Sequence, residues 1–299
     1  MKAKISIALV LLAGVFWGSS AIFVNKLSEL GFSNLQICSI RVTFAVPLLH
    51  AILISKGVKN YKLKLKTVGI IAFCGVFSVL AMCVCYFYAI LETTPATAAV
   101  LLYTAPIFVM IMSVIFFKER MTAKKTLCLS MAVIGCALTS GIIGGIQGSV
   151  IGIIIGLLSG FTYSLYSIIS TVVIKQGASP LACTAISFTF AAIAAQIITS
   201  PVDIVTKISA SPEPFIMILG LIFFSICTCV IPFLLYTLGL SNLKPEVAAI
   251  LASTEPVVAA IVGVAVLNKS INGFQITGII FVLAAITILN LKNKKSSVN

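Results

Sequence analysis

Seven residues between positions 86 and 106 recur 150 positions later without a gap. Tyr86, Pro95, Ala98, Ala99, Leu101, Thr104 and Pro106 return as Tyr236, Pro245, Ala248, Ala249, Leu251, Thr254 and Pro256. A chain that repeats itself over this distance folds as two copies of one unit. Each copy holds five apolar runs: near 5–25, 34–55, 68–90, 96–116 and 124–140, then near 149–172, 180–200, 214–237, 246–267 and 272–290. Runs of about 20 residues match a hydrocarbon core of roughly 30 Å when wound as helices. Lipid enforces that winding, because it offers no partner to an unpaired backbone N–H or C=O. A hydrophobic fraction of 60% with only 9% charged residues excludes the soluble globular class. The expected fold is an all-α membrane protein of ten transmembrane helices, with five-helix repeats over 1–145 and 146–299. Five is an odd number of crossings, so the second copy enters from the opposite side and the repeats are inverted. That architecture is typical of secondary transporters, whose site lies near mid-membrane between the copies.

The formal net charge is +13, and its distribution argues against nucleic acid as a partner. Of the 20 Lys and Arg, sixteen fall on the side of the N-terminus, among them Lys66, Lys118, Lys125, Lys175 and Lys244. Only Lys26, Lys207 and Lys269 fall on the other side. Such asymmetry orients a multi-pass protein with its basic side in the cytoplasm, which places both termini there and the chain in the plasma membrane. The surplus faces anionic headgroups, so membrane lipids are expected partners. The first run extends past a signal-peptide core to about Asn25 and is expected to be a retained helix. The longest polar loops are 56–67 and 201–213.

All nine cysteines fall within apolar runs, where thiols serve as small packing groups rather than a disulfide framework. Cys83/Cys85 and Cys227/Cys229 resemble chelating pairs. On a helix, however, residues two apart point to different faces, so neither a metal nor any other cofactor is expected.

The residues Phe16-Trp17-Gly18-Ser19, Arg41, the Pro95–Pro106 segment ending in Lys118-Glu119-Arg120, and Ser253-Thr254-Glu255-Pro256 resemble the drug/metabolite transporter superfamily. The likeness is to its EamA-like branch of ten-helix carriers and covers nearly the whole chain. It implies a polytopic carrier of small metabolites, amino acids or drug-like molecules. Two departures limit what is carried over. The first helix lacks the embedded glutamate that small multidrug pumps of the superfamily use. Glu119 also has no acidic mate in the second copy, where Lys269 stands.

Two ionisable residues lie well inside the apolar runs: Glu255 near the middle of the ninth and Arg41 in the second. Facing lipid, each would cost roughly 2.5–3.5 kcal/mol on translocon-based scales. Each therefore faces protein or a water-filled cavity, either as substrate ligands or as an internal ion pair. Glu255 suits an amine-bearing group or a coupling proton. Trp17, Tyr103, Tyr163 and Tyr166 lie too deep for an interfacial belt and are candidate cavity walls, with core packing as the alternative. Tyr86 and Tyr236 lie toward helix ends and read as belt residues. Pro106 and Pro256 fall at matching repeat positions, where mid-helix prolines bend a helix and can act as hinges or static kinks. Gly14-x-x-x-Gly18, with Gly152, Gly156 and Gly160, forms small faces suited to close helix contact.

The expected function is alternating-access transport of amino acids, amines or drug-like molecules, proton-coupled or facilitative. A nucleotide-sugar or phosphorylated-metabolite carrier is the alternative, disfavoured because Arg41 is the single deep cation and phosphates need several. No G-x-x-x-x-G-K-[ST] segment occurs, and the scattered His, Asp and Glu form no catalytic cluster, so an enzyme is not expected.

Overall fold

The computed structural model describes residues 2–57, 61–140, 142, 148–266 and 270–290. Lys59, Lys269, Lys292, Lys294 and Lys295, counted in the charge balance, lie outside them. Regular structure among the described residues is entirely helical. In chain order the helices are α1 (Lys2–Glu29), α2 (Asn34–Ser55), α3 (Leu65–Glu92), α4 (Pro95–Phe117), α5 (Ala123–Thr139) and α6 (Val150–Lys175). They continue with α7 (Pro180–Ile198), α8 (Pro201–Ser209), α9 (Pro214–Leu240), α10 (Pro245–Ala265) and α11 (Gly273–Asn290).

Eight of these (α1–α4, α6, α7, α9 and α10) are long and apolar enough to cross a membrane. The expected fifth and tenth spans, α5 and α11, are shorter and pack lengthwise on one another. At their contact, Gly135 and Gly278 bring the two backbones together: a Cβ on Gly135 would stand 2.8 Å from the Gly278 carbonyl oxygen.

Local chemistry sets the helix ends. Ser33 and Gln36 form a reciprocal capping box at α2. Thr94, Thr122, Ser149 and Ser179 cap α4, α5, α6 and α7 through their side-chain oxygens. Proline opens α4, α7, α9 and α10, where its missing N–H has no helical partner to lose. The segment 201–213, expected as a polar loop, contains α8. Its Ile204 and Ile208 bury against Leu27, Phe32 and Leu221, so a single amphipathic turn pair lids that end of the bundle.

The packing exchanges elements between copies. The first helix of each copy lies against the third and fourth helices of the other: α1 on α9 and α10, and α6 on α3 and α4. The second helices, α2 and α7, pair across the middle. Gln196 on α7 donates to Thr43 Oγ1 (2.7 Å) and Ser39 Oγ (3.2 Å), and His50 Nε2 meets Thr189 Oγ1 at 2.7 Å. These contacts supply partners for polar groups that lipid would leave unsatisfied. Two wide π-helical stretches interrupt α3 at Gly75–Leu80 and α9 at Ile226–Val230. They nearly correspond across the repeat. At the second, Ser225 Oγ donates to the Arg41 carbonyl at 2.6 Å.

Candidate functional site

The site is built around two broken helices. α4 divides into Pro95–Leu102 and Ala105–Phe117, and α10 into Pro245–Ala252 and Thr254–Ala265. Pro106 and Pro256 therefore stand in the first turn after each break rather than in the middle of an unbroken helix. A break leaves backbone carbonyls without partners, which is tolerated at membrane depth only where protein or cavity water satisfies them. Thr104 Oγ1 donates to the Leu101 carbonyl at 2.6 Å, and Thr254 does the same to Leu251. Glycines let the exchanged helices lean on the breaks. A Cβ on Gly160 would stand 2.6 Å from Thr104 Oγ1, and one on Gly14 would stand 3.1 Å from Thr254 Cβ. One turn further, Gly18 admits the backbone of Glu255 itself.

A cavity of about 280 Å³ opens beside the α10 break. Tyr86, Tyr103 and Pro256 form its deep wall, while Ser140, Ser270 and Gln275 line its mouth. The mouth lies at the end of α5 opposite the lysine-bearing one. Just below the deep wall, the half-buried Glu255 carboxylate faces the Tyr163 hydroxyl and lies within electrostatic reach of Arg41, Tyr103 and Tyr86. Arg41 and Glu255 do not form an ion pair, which would need a separation of 4.0 Å or less. Arg41 Nη2 instead contacts Cys83 Sγ at 3.5 Å, and its buried Nε has no hydrogen-bond partner. Arg41 and Glu255 thus lie in one low-dielectric region without a direct ion pair between them.

Under this region an aromatic plug fills the space toward the basic end. Trp17 packs edge-on against Phe233 (5.1 Å) and Tyr163 (6.3 Å), and tilted against Tyr236 (5.5 Å). Tyr236, read from sequence as a belt residue, is only 4% exposed and shares a 2.7 Å hydrogen bond with Ser167. The reason is that α9 runs to Leu240, so Tyr236 lies more than a turn inside it. Tyr86 likewise lines the cavity rather than a belt. Tyr166 is fully buried with its hydroxyl at Thr237 (2.9 Å) and Thr184 (3.2 Å), placing it in the plug and not on the cavity wall. Of the sequence candidates, Tyr103 lines the cavity, Trp17 and Tyr163 lie among the packed rings with Tyr166 behind them, and Arg41 and Glu255 lie near the cavity without lining it.

Beyond the plug lies a cluster that single-position reading misses. Lys125 Nζ stands 2.8 Å from Glu246 Oε1 and 3.5 Å from Glu119 Oε2, and Lys244 pairs with Glu119. Glu246 is 1% exposed, with its second carboxylate oxygen unpaired. Partial burial pushes the Glu119 carboxyl up. Hydrogen bonding and charge from Lys244, then Lys125, outweigh that and hold it below the ordinary carboxylate range. The available sequence signal was Lys118-Glu119-Arg120, an acid without an acidic mate in the second copy. Among the described residues, no three His, Cys, Asp or Glu side chains converge as a metal site.

A family profile described as "EamA-like transporter family" matches the chain twice, over residues 4–141 and 150–291. The chain belongs to the EamA-like transporter family. Curated relatives of this EamA-like chain include uncharacterized transporters from three organisms. That of Archaeoglobus fulgidus is 27% identical over 68% of this chain and 70% of its own. YyaM of Bacillus subtilis is 24% identical over 81% and 79%. That of Clostridium kluyveri is 26% identical over 96% and 94%. A crystal structure superposes with a TM-score of 0.76 at 17% identity, covering 95% of this chain and 96% of that one, a likeness of fold. The EamA-like chain is accordingly a multi-pass membrane transporter.

Proposed function

We propose that this transporter is a secondary carrier of small amine-bearing metabolites, amino acids among them, working by alternating access. The observation that carries the proposal is the unpaired Arg41 and Glu255 beneath a cavity open at one end and plugged at the other. Glu255 receives the ammonium group or a coupling proton, and Arg41 receives a carboxylate where the substrate has one. Tyr103 supplies an apolar wall with a polar tip, Trp17 and Tyr163 form the face of the plug that the substrate meets as it opens, and Tyr166 braces the plug. Such charge-assisted contacts contribute about 1.5–3 kcal/mol each.

In this reading α5 and α11 also cross, giving ten helices in two inverted five-helix repeats, 1–145 and 146–299. The two family matches and the exchanged packing support it. The basic end is cytoplasmic and the membrane is the plasma membrane, on the strength of the lysine asymmetry. The moving bodies are then the exchanged groups, α1 with α9 and α10 against α6 with α3 and α4, rather than the two halves of the sequence. The breaks beside Pro106 and Pro256 are where they bend.

The test is uptake of radiolabelled amino acids and small amines into liposomes, with and without a pH gradient, alongside Glu255→Gln. Saturable uptake that follows the gradient and falls at least about tenfold in the variant, the equivalent of about 1.4 kcal/mol, is the expected result. Uptake indifferent to the substitution would reduce Glu255 to a structural role, and absence of saturable uptake across the panel would remove the substrate class.

A further inference from the structure

A second and larger hollow, about 460 Å³, lies on the flank of the α3–α4–α6 group, away from the central cavity. Gly69, Phe73, Met112, Phe116 and Ile169 make it an almost wholly apolar groove, and Lys66 stands at its end. Nothing occupies the space in front of Gly69: a Cβ built there meets no atom within 4 Å. Phe73 and Phe116 are 48% and 64% exposed, so the groove opens sideways, toward acyl chains.

Its lysine end coincides with three helix termini. α3 begins one residue before Lys66, α4 ends one before Lys118, and α6 ends on Lys175, whose ammonium lies 4.2 Å from the Phe117 ring centre. The acid at this corner, Glu119, is already engaged by Lys244 and Lys125. An almost wholly apolar groove therefore ends beside lysines that form no ion pair among the described residues. The corresponding positions of the second copy lack both features, since Ile216 replaces Lys66 and Leu219 replaces Gly69.

We propose that this groove is a binding site for one anionic phospholipid of the leaflet on the basic side. An acyl chain lies along Gly69 and Phe73, and the phosphate sits on Lys66, with Lys118 and Lys175 completing the field. An anionic lipid fits better than a zwitterionic one because, among the described residues, the charges at the mouth are the cations Lys66, Lys118 and Lys175. Bound there, the lipid fastens α3 and α4 of one copy to α6 of the other, bracing one of the two exchanged groups.

Native mass spectrometry of the full-length protein, released from nanodiscs containing equal phosphatidylglycerol and phosphatidylcholine, tests this directly and does not depend on knowing the transported substrate. The expected result is one retained phosphatidylglycerol per chain, in several-fold excess over phosphatidylcholine. Lys66→Gln should reduce that excess several-fold while the control Lys64→Gln leaves it intact. Gly69→Leu, which fills empty space and so spares the fold, should remove the retained lipid. Equal retention of the two lipids, or phosphatidylglycerol retention unchanged in both Lys66→Gln and Gly69→Leu, would overturn the proposal.

Discussion

At one end of the bundle Lys125 and Glu246 join α5 to α10. The residues that correspond to them across the 150-residue repeat are Gln275 and Ala96, and they carry no charge. Glu119 and Lys244 likewise correspond to Lys269 and Thr94. The first end is stapled by an ion cluster around the buried Glu246, behind an aromatic plug. At the second, Gln275 lines the cavity mouth and reaches the Thr139 carbonyl at 3.4 Å. The two ends thus differ at these paired positions, and one is plugged while the other opens on the cavity. In the proposed alternating-access cycle, this difference is the bias that a substrate or gradient overcomes.

Removing Lys125 should disturb this contrast most. Lys125→Met leaves the Glu246 carboxylate buried without a counter-charge, at a cost of about 3–5 kcal/mol to the stapled state. Hydrogen exchange should rise along 118–125 and 244–252. The double variant Lys125→Met with Glu246→Leu should recover much of the protection, because an apolar pair needs no compensation. Exchange unchanged in the single variant would show that the plug alone closes this end.

Transplanting the staple is the next largest effect. Ala96→Glu with Gln275→Lys should close the cavity mouth with a contact of about 1.5–3 kcal/mol. Uptake should then fall while the melting temperature holds or rises. Either single variant should fail to reproduce the double. Equal loss in a single variant would mean the substitution damages the site rather than closing it.

Acidification gives the smallest effect. The Glu119 carboxyl is held below its ordinary value of 4.5, so its stabilising contribution is present in full above that pH and is lost as pH falls through the depressed value. Protection at 118–125 should therefore weaken below about pH 4.5, and Glu119→Gln should remove that pH dependence. Protection of 135–140 should stay flat across the same range.

Eight of the expected spans were legible because length and apolarity leave a local trace, and the recurring prolines and threonines foreshadowed the two family matches. The deep placement of Trp17, Arg41 and Glu255 was legible for the same reason, since depth follows from distance along a span. The staple was not, because its 2.8 Å contact joins residues 121 apart in sequence. Each member, read singly, is an ordinary charge at a helix end. Tyr236 was misplaced by the few residues between the expected end of its span and Leu240. The exchange of α1 and α6 between copies leaves no trace in periodicity at all; it shows only in which glycine faces which threonine.

The π-helical stretches in α3 and α9 carry a further consequence. Each wide turn takes in an additional residue, which rotates all that follows by roughly 100° about the helix axis. Gly75 and Ser78 can thus be directed into the protein interior while Tyr86, beyond the wide turn, meets the cavity. A wheel drawn through the whole of α3 as one regular helix would put residues on the wrong side. Its lipid-facing and inward-facing stripes are two short ladders, offset by one rung, and any substitution scan must be phased separately above and below the join.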